Sequence, residues 1–410
     1  MENKEMRSRS SGAADEGLAG LEIERAAREM GIAIPAGASG LAHWLGAGMR
    51  LRGAVMDFSW GLHAERGYEQ VKSPCLAPRE LFERSGHAEK YGQMMFSASA
   101  ASEGGAPSEL MLRPMSCPNH ISIFLSRRRF AREMPWKVFE FGEVFRDEPS
   151  GSLSFLLRSR QFCQDDAHAV APLSRAGELA RGWLSMALEA CRWMGCGEPE
   201  LRLASRPESR LGSDDVWDLA EGALERELRA GAMPWSPAPG EGAFYGPKIE
   251  LGLRDARGRL WQMGVFQLDL NLPGRFGLKV DGIREEDGPL ALVHHAVFGS
   301  VERAIGVMLA CRGKDLPARA HPNALAIVAV SDKSMAAARS AHALAAAELG
   351  GRSWLCDFEG PLGVKLARVK EAGWLRVGVV GPSEAELGQG WVAEGGKARE
   401  VESICAELAP

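Results

Sequence analysis

The sequence lacks the long apolar runs and the cysteine pattern that mark membrane-bound or secreted proteins. No run approaches the roughly 18–20 apolar residues of a membrane-spanning helix, and the first 17 residues, MENKEMRSRSSGAADEG, contain no apolar core of a secretory signal. The 8 cysteines are scattered; only Cys191 and Cys196 lie close together, and their spacing is not that of a metal knuckle. We therefore expect reduced thiols and a cytoplasmic location.

An excess of basic charge is also missing. The chain has 49 Lys and Arg residues against 54 Asp and Glu residues, a formal net charge of −5. This balance excludes a uniformly basic, nucleic-acid-coating surface, although the preference for Arg over Lys leaves room for a local basic face. The length of 410 residues is enough for two or three domains at roughly 150 residues each.

The pattern of apolar residues divides the chain near residue 323. Residues 1–38 are a polar, flexible segment with one short helix within 21–37. Residues 39–315 combine helix-like and strand-like runs. The predicted strands cover 136–147, 160–170, 242–255 and 259–272, and the predicted helices 177–195 and 213–231. Strands that neighbour as hairpins predict an antiparallel sheet and an α+β domain.

A smaller α/β domain is predicted over residues 323–410, after a proline-containing linker at 312–323. Its apolar strand-like runs are separated by helical segments, so we expect a parallel sheet covered on both faces. The runs lie at 324–330, 353–358 and 374–381, with helices at 335–349 and 362–373.

Three separated segments carry candidate metal ligands. Cys117 lies in the proline-bracketed loop MLRPMSCPNH, and strand alternation in QFCQDDAHAV places Gln164, Asp166 and His168 on one face. His294 precedes a helix in LVHHAVFGSVERAIG. A Cys/His/His set without a fourth protein ligand is typical of a zinc site with an open position. The alternative interpretation is that Cys117, His168 and His294 are three unrelated core residues.

A second set of candidates consists of arginines on apolar elements. Arg146 ends an apolar strand, Arg158 lies near the returning strand, and Arg303 lies on an otherwise apolar helix. A buried arginine is costly unless it is paired, and its planar guanidinium suits bidentate binding of phosphate or carboxylate. Structural salt bridges remain the alternative.

Five collinear segments between residues 111 and 303 resemble the catalytic core of threonyl-tRNA synthetases, which are class II aminoacyl-tRNA synthetases. They are MLRPMSCPNH, EFGEVFRDEPSGSLSFLLRSRQFCQDDAH, EGAFYGPKIEL, WQMGVFQLDLNLP and LVHHAVFGSVER. Residues 323–410 resemble the family's α/β anticodon-binding domain. The resemblance implies a six- to seven-stranded antiparallel sheet flanked by helices. It also implies a homodimer formed through a first motif, matched by RLRGAVMDFSWGLHAERGYEQVKSPCL.

The resemblance further implies activation of threonine by ATP and transfer to tRNA. Arg146 matches the arginine that binds the α-phosphate and the substrate carboxylate. Glu148 matches the residue that reads the adenine amino group, and Phe162 the ring that stacks on adenine. Arg158 and Arg303 match the arginines that bind the γ-phosphate, with Mg²⁺ sharing that charge.

Cys117, His168 and His294 match the family's Zn²⁺ ligands, and Asp166 matches the residue that accepts the hydroxyl proton of threonine. Valine lacks this hydroxyl, so such a site rejects it. His87 matches a histidine implicated in transfer to tRNA, with an exposed loop histidine as the alternative. The remaining matches are Lys248 as a catalytic residue, Gln262 in the ATP site, and Met115, Gln164, Tyr245 and Gln267 in the substrate pocket.

The sequence departs from the family's pattern in two places. In the pocket, Ser116 replaces an asparagine, Met263 a cysteine, Val265 a threonine and His295 an arginine. In the last domain, the stretch at 357–363 lacks the arginine and asparagine of the family's anticodon reader. The first change could tune the pocket for threonine or admit another β-hydroxy amino acid. The second puts anticodon recognition in question.

Three functions therefore remain open. The first is a threonine–tRNA ligase without cis editing, because the chain starts almost at the core. Such an enzyme would mischarge serine, since one methyl group is worth only ~1–3 kcal/mol. The second is a paralogue that adenylates a threonine-like amino acid for another acceptor, such as a carrier protein. The third is a catalytically silent sensor, against which the complete arginine set argues.

Overall fold

The computed structural model describes residues 23–35, 37–99, 110–231 and 233–409. Most of the polar N-terminal segment lies outside these ranges. No helix in the described part of the chain is long and apolar enough to cross a membrane.

The helices are α1 (residues 23–29), α2 (Gly46–Ala64), α3 (Arg79–Ser85), α4 (His87–Tyr91), α5 (Cys117–Leu125), α6 (Ala176–Met194), α7 (Asp214–Ala230), α8 (Leu272–Phe276), α9 (Val301–Arg312), α10 (Met335–Leu349), α11 (Leu362–Glu371), α12 (Pro382–Leu387) and α13 (Val401–Leu408). The strands are β1 (Ile32–Ala33), β2 (His43–Trp44), β3 (Glu69–Gln70), β4 (Leu76–Pro78), β5 (Ser97–Ala98), β6 (Leu110–Leu112), β7 (Trp136–Phe145), β8 (Gln161–Pro172), β9 (Glu200–Ala204), β10 (Trp235–Ala238), β11 (Lys248–Arg254), β12 (Leu260–Asp269), β13 (Leu290–Ser300), β14 (Leu325–Ala329), β15 (Ser353–Cys356), β16 (Arg376–Val380), β17 (Trp391–Glu394) and β18 (Lys397–Glu400).

The main sheet has eight strands among the described residues, in the order β10-β9-β11-β12-β13-β8-β7-β3. The six central strands, β9 to β7, run antiparallel. The two edge strands, β10 and β3, run parallel to their neighbours. The predicted antiparallel sheet is confirmed in its centre and is wider than expected. Helices α6 and α9 cover one face, where Trp183 and Trp193 are almost fully buried.

One predicted helix ends earlier than the sequence indicates, and one predicted strand begins later. The helix expected within residues 21–37 ends at residue 29, because Gly31 turns the chain with a positive φ of 76°. Ile32–Ala33 then pairs with β2. The strand expected over 242–255 begins only at Lys248, since Pro247 has no N–H to give to a sheet.

The second sheet has the order β15-β14-β16-β17-β18. Its first three strands are parallel, as predicted. Beyond these three predicted strands the sheet continues into β17 and β18, an antiparallel hairpin that the prediction did not include. Gly395 and Gly396 explain it: with positive φ values of 58° and 79°, they form a two-residue turn that reverses the chain.

Asp165 holds the segment that leads into α9. The register of β13 shifts between Ala296 and Ser300. Across this irregularity the buried Asp165 carboxylate accepts backbone N–H groups from Val297 at 3.1 Å, Phe298 at 2.8 Å and Gly299 at 3.0 Å. Three backbone donors at the irregularity are thereby satisfied, and the start of α9 is fixed relative to β8.

Replacing Asp165 with Asn tests this role. The amide nitrogen of Asn donates rather than accepts, so at least one buried N–H loses its partner. We expect Asp165→Asn to lower the free energy of unfolding by about 1–3 kcal/mol in urea denaturation. Asp315→Asn, at an exposed position, is the matched control and should change it by less than about 0.5 kcal/mol. Equal values for the two variants would contradict the assignment.

Candidate active site

A cavity of about 430 Å³ lies over the antiparallel sheet, between the β7–β8 connection, β11, β12 and the junction of β13 with α9. Eleven of the predicted site residues line it. They are Met115, Arg146, Glu148, Arg158, Phe162, Gln164, Tyr245, Lys248, Gln262, Gln267 and Arg303. Segments far apart in the sequence thus meet in one cavity.

The cavity has a cationic wall built from three arginines. The Arg146 guanidinium lies 5.2 Å from the ring centres of Tyr91 and Phe162, and its Nε donates to the Pro114 carbonyl at 3.1 Å. The pKa of Arg303 is lowered by burial and then by the positive charges of Arg146 and Arg158. Positive guanidinium groups that lie close together repel one another, and an anion bound among them would relieve this repulsion. The wall is therefore suited to bind an anion.

The Arg303 side chain is held in place by backbone carbonyl groups. Its Nε donates to the Leu157 carbonyl at 3.0 Å, and its Nη1 donates to the Gln262 carbonyl at 3.3 Å. Its own backbone N–H donates to Ser300 Oγ at 3.1 Å, which caps α9. The guanidinium is therefore fixed at the start of a helix that Asp165 positions.

Glu148 and Arg158 form an ion pair that the sequence did not predict. Both Arg158 Nη2, at 2.7 Å, and Arg158 Nε, at 3.2 Å, donate to Glu148 Oε2. The Glu148 side chain is largely buried, whereas that of Arg158 is half exposed. The carboxylate expected to read an adenine amino group is thus oriented by one of the expected phosphate-binding arginines.

A Cys/His/His cluster lies behind the cavity wall. The ligand atoms of Cys117, His168 and His294 all lie within 4.8 Å of one another, and the three side chains are buried. His168 and His294 are opposite each other on β8 and β13, which brings His168 Nε2 to 3.0 Å from His294 Nδ1. Cys117 is the first residue of α5. The predicted ligands are therefore brought together.

Each histidine of this cluster has a second partner on its outer nitrogen. His294 Nε2 lies 3.2 Å from Asp269 Oδ2, and His168 Nδ1 lies 2.8 Å from His120 Nδ1. His120 Nε2 in turn lies 3.1 Å from Glu140 Oε2. Such outer hydrogen bonds orient imidazoles that ligate metal ions, so the donor set fits a zinc ion.

Glu140 anchors this outer layer. It accepts hydrogen bonds from Arg113 Nη2 at 3.1 Å and from Ser73 Oγ at 2.6 Å. Burial raises the pKa of Glu140, but hydrogen bonds from His120, Arg113 and Ser73 outweigh it and hold the pKa well below its usual value. Glu140, His120, Arg113 and Asp269 were not predicted from the sequence. The sequence feature that could have indicated Glu140 and Asp269 is a charged residue inside an apolar strand, in WKVFEFG and in FQLDLNL.

Burial sets the protonation states of the cluster. It lowers the pKa of His168 well below its ordinary value, helped by the charges that His120 and His294 would carry. Burial also raises the pKa of the Cys117 thiol, and Asp166 and Asp269 add to the effect. Neutral imidazole is the form that binds metal, and a thiol in this setting needs a cation beside it to ionise.

Two predicted residues lie behind the cavity wall. His87 is fully buried at the start of α4, so the alternative of an exposed loop histidine is wrong. Its Nε2 lies 3.3 Å from Cys117 Sγ, its Nδ1 lies 2.8 Å from Ser85 Oγ, and burial lowers its pKa to about 3. Asp166 is buried beside the cluster, with Oδ1 3.6 Å from His168 Nδ1, and burial raises its pKa.

The four residues that depart from the family's pattern occupy different places. Met263 and Val265 line the cavity. Ser116 is buried close to the Gly142 backbone, since a Cβ atom placed on Gly142 would lie 2.6 Å from Ser116 Oγ. His295 points away from the cluster, with Nε2 2.8 Å from Tyr68 Oη. The expectation that His295 alters the pocket is therefore wrong, because neighbouring strand residues face opposite sides of a sheet.

Comparisons with known proteins agree with this geometry. The family described as "tRNA synthetase class II core domain (G, H, P, S and T)" matches residues 102–312. The threonine–tRNA ligase of Dechloromonas aromatica is 36% identical over 296 residues, covering 72% of this chain and 46% of that protein. That of Aquifex aeolicus is 38% identical over 295 residues, covering 72% and 46%. The chain thus spans about half the length of these relatives.

A solved structure extends the similarity over most of the chain. It is the RNA binding domain of threonyl-tRNA synthetase from Cryptosporidium parvum Iowa II, with a TM-score of 0.83 and 28% sequence identity. The match covers 94% of this chain and 98% of that one. The chain belongs to the class II tRNA synthetase family, and its similarity within that family is to threonine–tRNA ligases.

Proposed function

We propose that this chain activates threonine, or a close β-hydroxy amino acid, with ATP and transfers the product to tRNA. The observation that carries the proposal is the arrangement of one cavity. One wall holds three arginines, and the buried Cys/His/His cluster lies beside the cavity, with the His294 ring 4.8 Å from the ring of the lining residue Tyr245. The first suits a nucleoside triphosphate and the second a small polar amino acid.

In the proposed adenylation step, the amino-acid carboxylate attacks the α-phosphorus of ATP and pyrophosphate leaves. Arg146 binds the α-phosphate, where its fixed guanidinium stabilises developing negative charge without reorganisation. Arg158 and Arg303 bind the γ-phosphate end, and Mg²⁺ shares that charge. Phe162 stacks on adenine, and the Glu148 carboxylate accepts a hydrogen bond from the adenine amino group. Gln262 completes the ATP site.

Cys117, His168 and His294 are the proposed ligands of a Zn²⁺ ion. When bound, zinc acts as a Lewis acid toward the amino and hydroxyl groups of the substrate. Asp166 accepts the hydroxyl hydrogen, and four further residues surround the substrate: Met115, Gln164, Tyr245 and Gln267. The catalytic roles of Lys248 and His87 stay predictions.

We also propose a homodimer with its interface at the start of α2. Leu45 and Met49 are exposed there at 62% and 49%, and the edge strand β3 follows α2 in the chain. The proposed division at 39–315 and 323–410 is supported by separate hydrophobic clusters in the two sheets. A cytoplasmic location stays a prediction.

Cys117→Ser tests the metal site. Serine cannot supply a thiolate, so one of three ligands is lost. We expect about one zinc per chain in the wild type and a loss of 10-fold or more in zinc affinity in the variant, measured by elemental analysis after dialysis against a chelator. Cys75→Ser, at a half-buried cysteine outside the cluster, should keep its zinc. Zinc retained equally by both variants would contradict the ligand assignment.

Arg303→Ala tests the cationic wall. Loss of a fixed guanidinium should reduce the rate of amino-acid-dependent ATP–pyrophosphate exchange by roughly 10²–10³-fold. Arg339→Ala, at an exposed position on α10, is the control and should leave exchange unchanged. A comparable rate in the two variants would remove Arg303 from the site.

A second function is favoured by the charges of the C-terminal sheet. Arg376 binds Glu394 at 2.7 Å and Glu407 at 2.9 Å, and Arg399 binds the same two carboxylates at 2.7 and 2.6 Å. These arginines are neutralised and are poorly placed to bind RNA phosphates. This supports a paralogue that passes the activated amino acid to a non-tRNA acceptor, such as a carrier protein.

Exchange and charging assays separate the two functions. We expect exchange with threonine and, since one methyl is worth ~1–3 kcal/mol, exchange with serine reduced by only about 10–200-fold. Larger β-hydroxy amino acids should be assayed beside them. Charging of threonine tRNA is expected for the first function. Exchange without charging would favour the second, and no exchange with any amino acid would contradict both.

A further inference from the structure

A row of alternating charges crosses one end of the main sheet beside the cavity. Lys248 Nζ lies 2.6 Å from Glu250 Oε1, and both residues belong to β11. Glu250 Oε2 lies 3.7 Å from Nη1 of Arg202 on β9, and Arg202 Nη2 donates to Glu241 Oε1 at 2.8 Å. Glu250 is only 5% exposed, so its charge requires partners within the protein.

The sheet register places Glu250 between the two cations. Lys248 and Glu250 are two residues apart on β11 and therefore face the same side of the sheet. Glu250 pairs with Arg202 on β9 and with Val265 on β12, and Val265 lines the cavity of about 430 Å³. The backbone of three neighbouring strands thus fixes the carboxylate beside this cavity.

Lys248 lies at the boundary between two cavities. Together with Gln262, it lines both the cavity of about 430 Å³ and a neighbouring one of about 380 Å³, which Glu250 also lines. A lysine side chain is a flexible stem with about 2 kcal/mol of rotamer entropy, so without a partner it samples several positions. In the described part of the chain, Glu250 is the only carboxylate within ion-pair distance of Lys248.

The contact with Lys248 is the tighter of the two that Glu250 makes, at 2.6 Å against 3.7 Å for Arg202. Arg202 already has Glu241 as a partner at 2.8 Å. If Glu250 served only to join β11 to β9, apolar residues would do as well, since replacing a buried ion pair by well-packed apolar side chains is often neutral or stabilising. The charge of Glu250 is therefore best explained by its effect on Lys248.

We propose that Glu250 is a positioning residue, whose carboxylate fixes the Lys248 ammonium group at the boundary between the two cavities. Without this contact, the ammonium group is free to turn away and no longer reaches a substrate from one defined position. This role rests on the proposed function, in which Lys248 is a predicted catalytic residue, and it adds the residue that orients Lys248.

Competitive acetylation of lysines, measured by mass spectrometry, tests the contact on the full-length protein without an activity assay. Glu250→Gln removes the charge but keeps the size of the side chain. We expect Lys248 to be acetylated several-fold faster in this variant, because no carboxylate holds its amino group. Glu241→Gln, the matched control, removes a carboxylate that binds Arg202 and should leave the rate unchanged. The exposed Lys279 should keep its rate in every variant.

Exchange kinetics test what the contact does for the proposed reaction. In ATP–pyrophosphate exchange, Glu250→Gln should lower kcat by about 10–100-fold, since a 1 Å misplacement can cost ~10²-fold, and should leave the KM for threonine close to that of the wild type. Glu250→Asp keeps the charge and should restore part of the rate. The double variant Lys248→Met/Glu250→Gln should be no slower than Lys248→Met, because residues that act as a unit are not additive.

The two measurements separate this role from the proposed function. Equal acetylation of Lys248 in the wild type and in Glu250→Gln, or independent losses of kcat in the double variant, would overturn the role and leave the function standing. A wild type without exchange would contradict the function, and the acetylation rates would then decide whether Glu250 holds Lys248. If Glu250→Gln does not fold, Glu250→Asp replaces it: an intermediate acetylation rate is expected, and a wild-type rate would overturn the role.

Discussion

A continuous chain of buried polar groups is the constraint on which the site depends. It runs from Arg113 through Glu140, His120 and His168 to His294, and each link is a hydrogen bond or a close polar contact of 2.8–3.1 Å. In an apolar interior, each of these groups would cost several kcal/mol without its partner. The network is therefore stable only when every member is present, and the two histidines at its end are held in one orientation.

The regular geometry of β8 connects this network to the cavity. Phe162, Gln164, Asp166 and His168 are alternate residues of the strand and face the same side. They lead from the arginine-rich wall, where Arg146 lies against Phe162, to the buried cluster at His168. Asp165, on the opposite face, fixes β13 and the start of α9. One strand therefore sets the positions of both halves of the site.

Much of this arrangement can be predicted from the sequence, because each motif or helical pattern that indicates it lies within one short stretch of the chain. The Ala-rich helix predicted over 335–349 has those bounds in the structure, and Cys117, His168 and His294 lie within motifs whose residues can be compared one by one. The outer partners could not be found this way. His120 lies on α5, Glu140 on β7 and Asp269 on β12. Only the packing of α5 and the pairing of β7 with β8 and of β12 with β13 bring these residues to the histidines.

Two further differences have the same physical origin. The burial of His87 depends on how the short helix α4 packs beside Cys117, which no local pattern records. The pairing of Glu148 with Arg158 depends on how the β7–β8 connection folds back on itself. Local sequence patterns identify candidate site residues. Tertiary packing decides which of these residues line the cavity and which act by positioning another residue.

X-ray absorption at the zinc edge is the most direct test of the proposed metal site, in which the buried network would hold a zinc ion with one coordination position open to the substrate. We expect one sulfur and two imidazole nitrogens around zinc in the purified protein, and a change in the remaining ligands when threonine, but not valine, is added. A spectrum without a sulfur ligand, or one that threonine leaves unchanged, would contradict it.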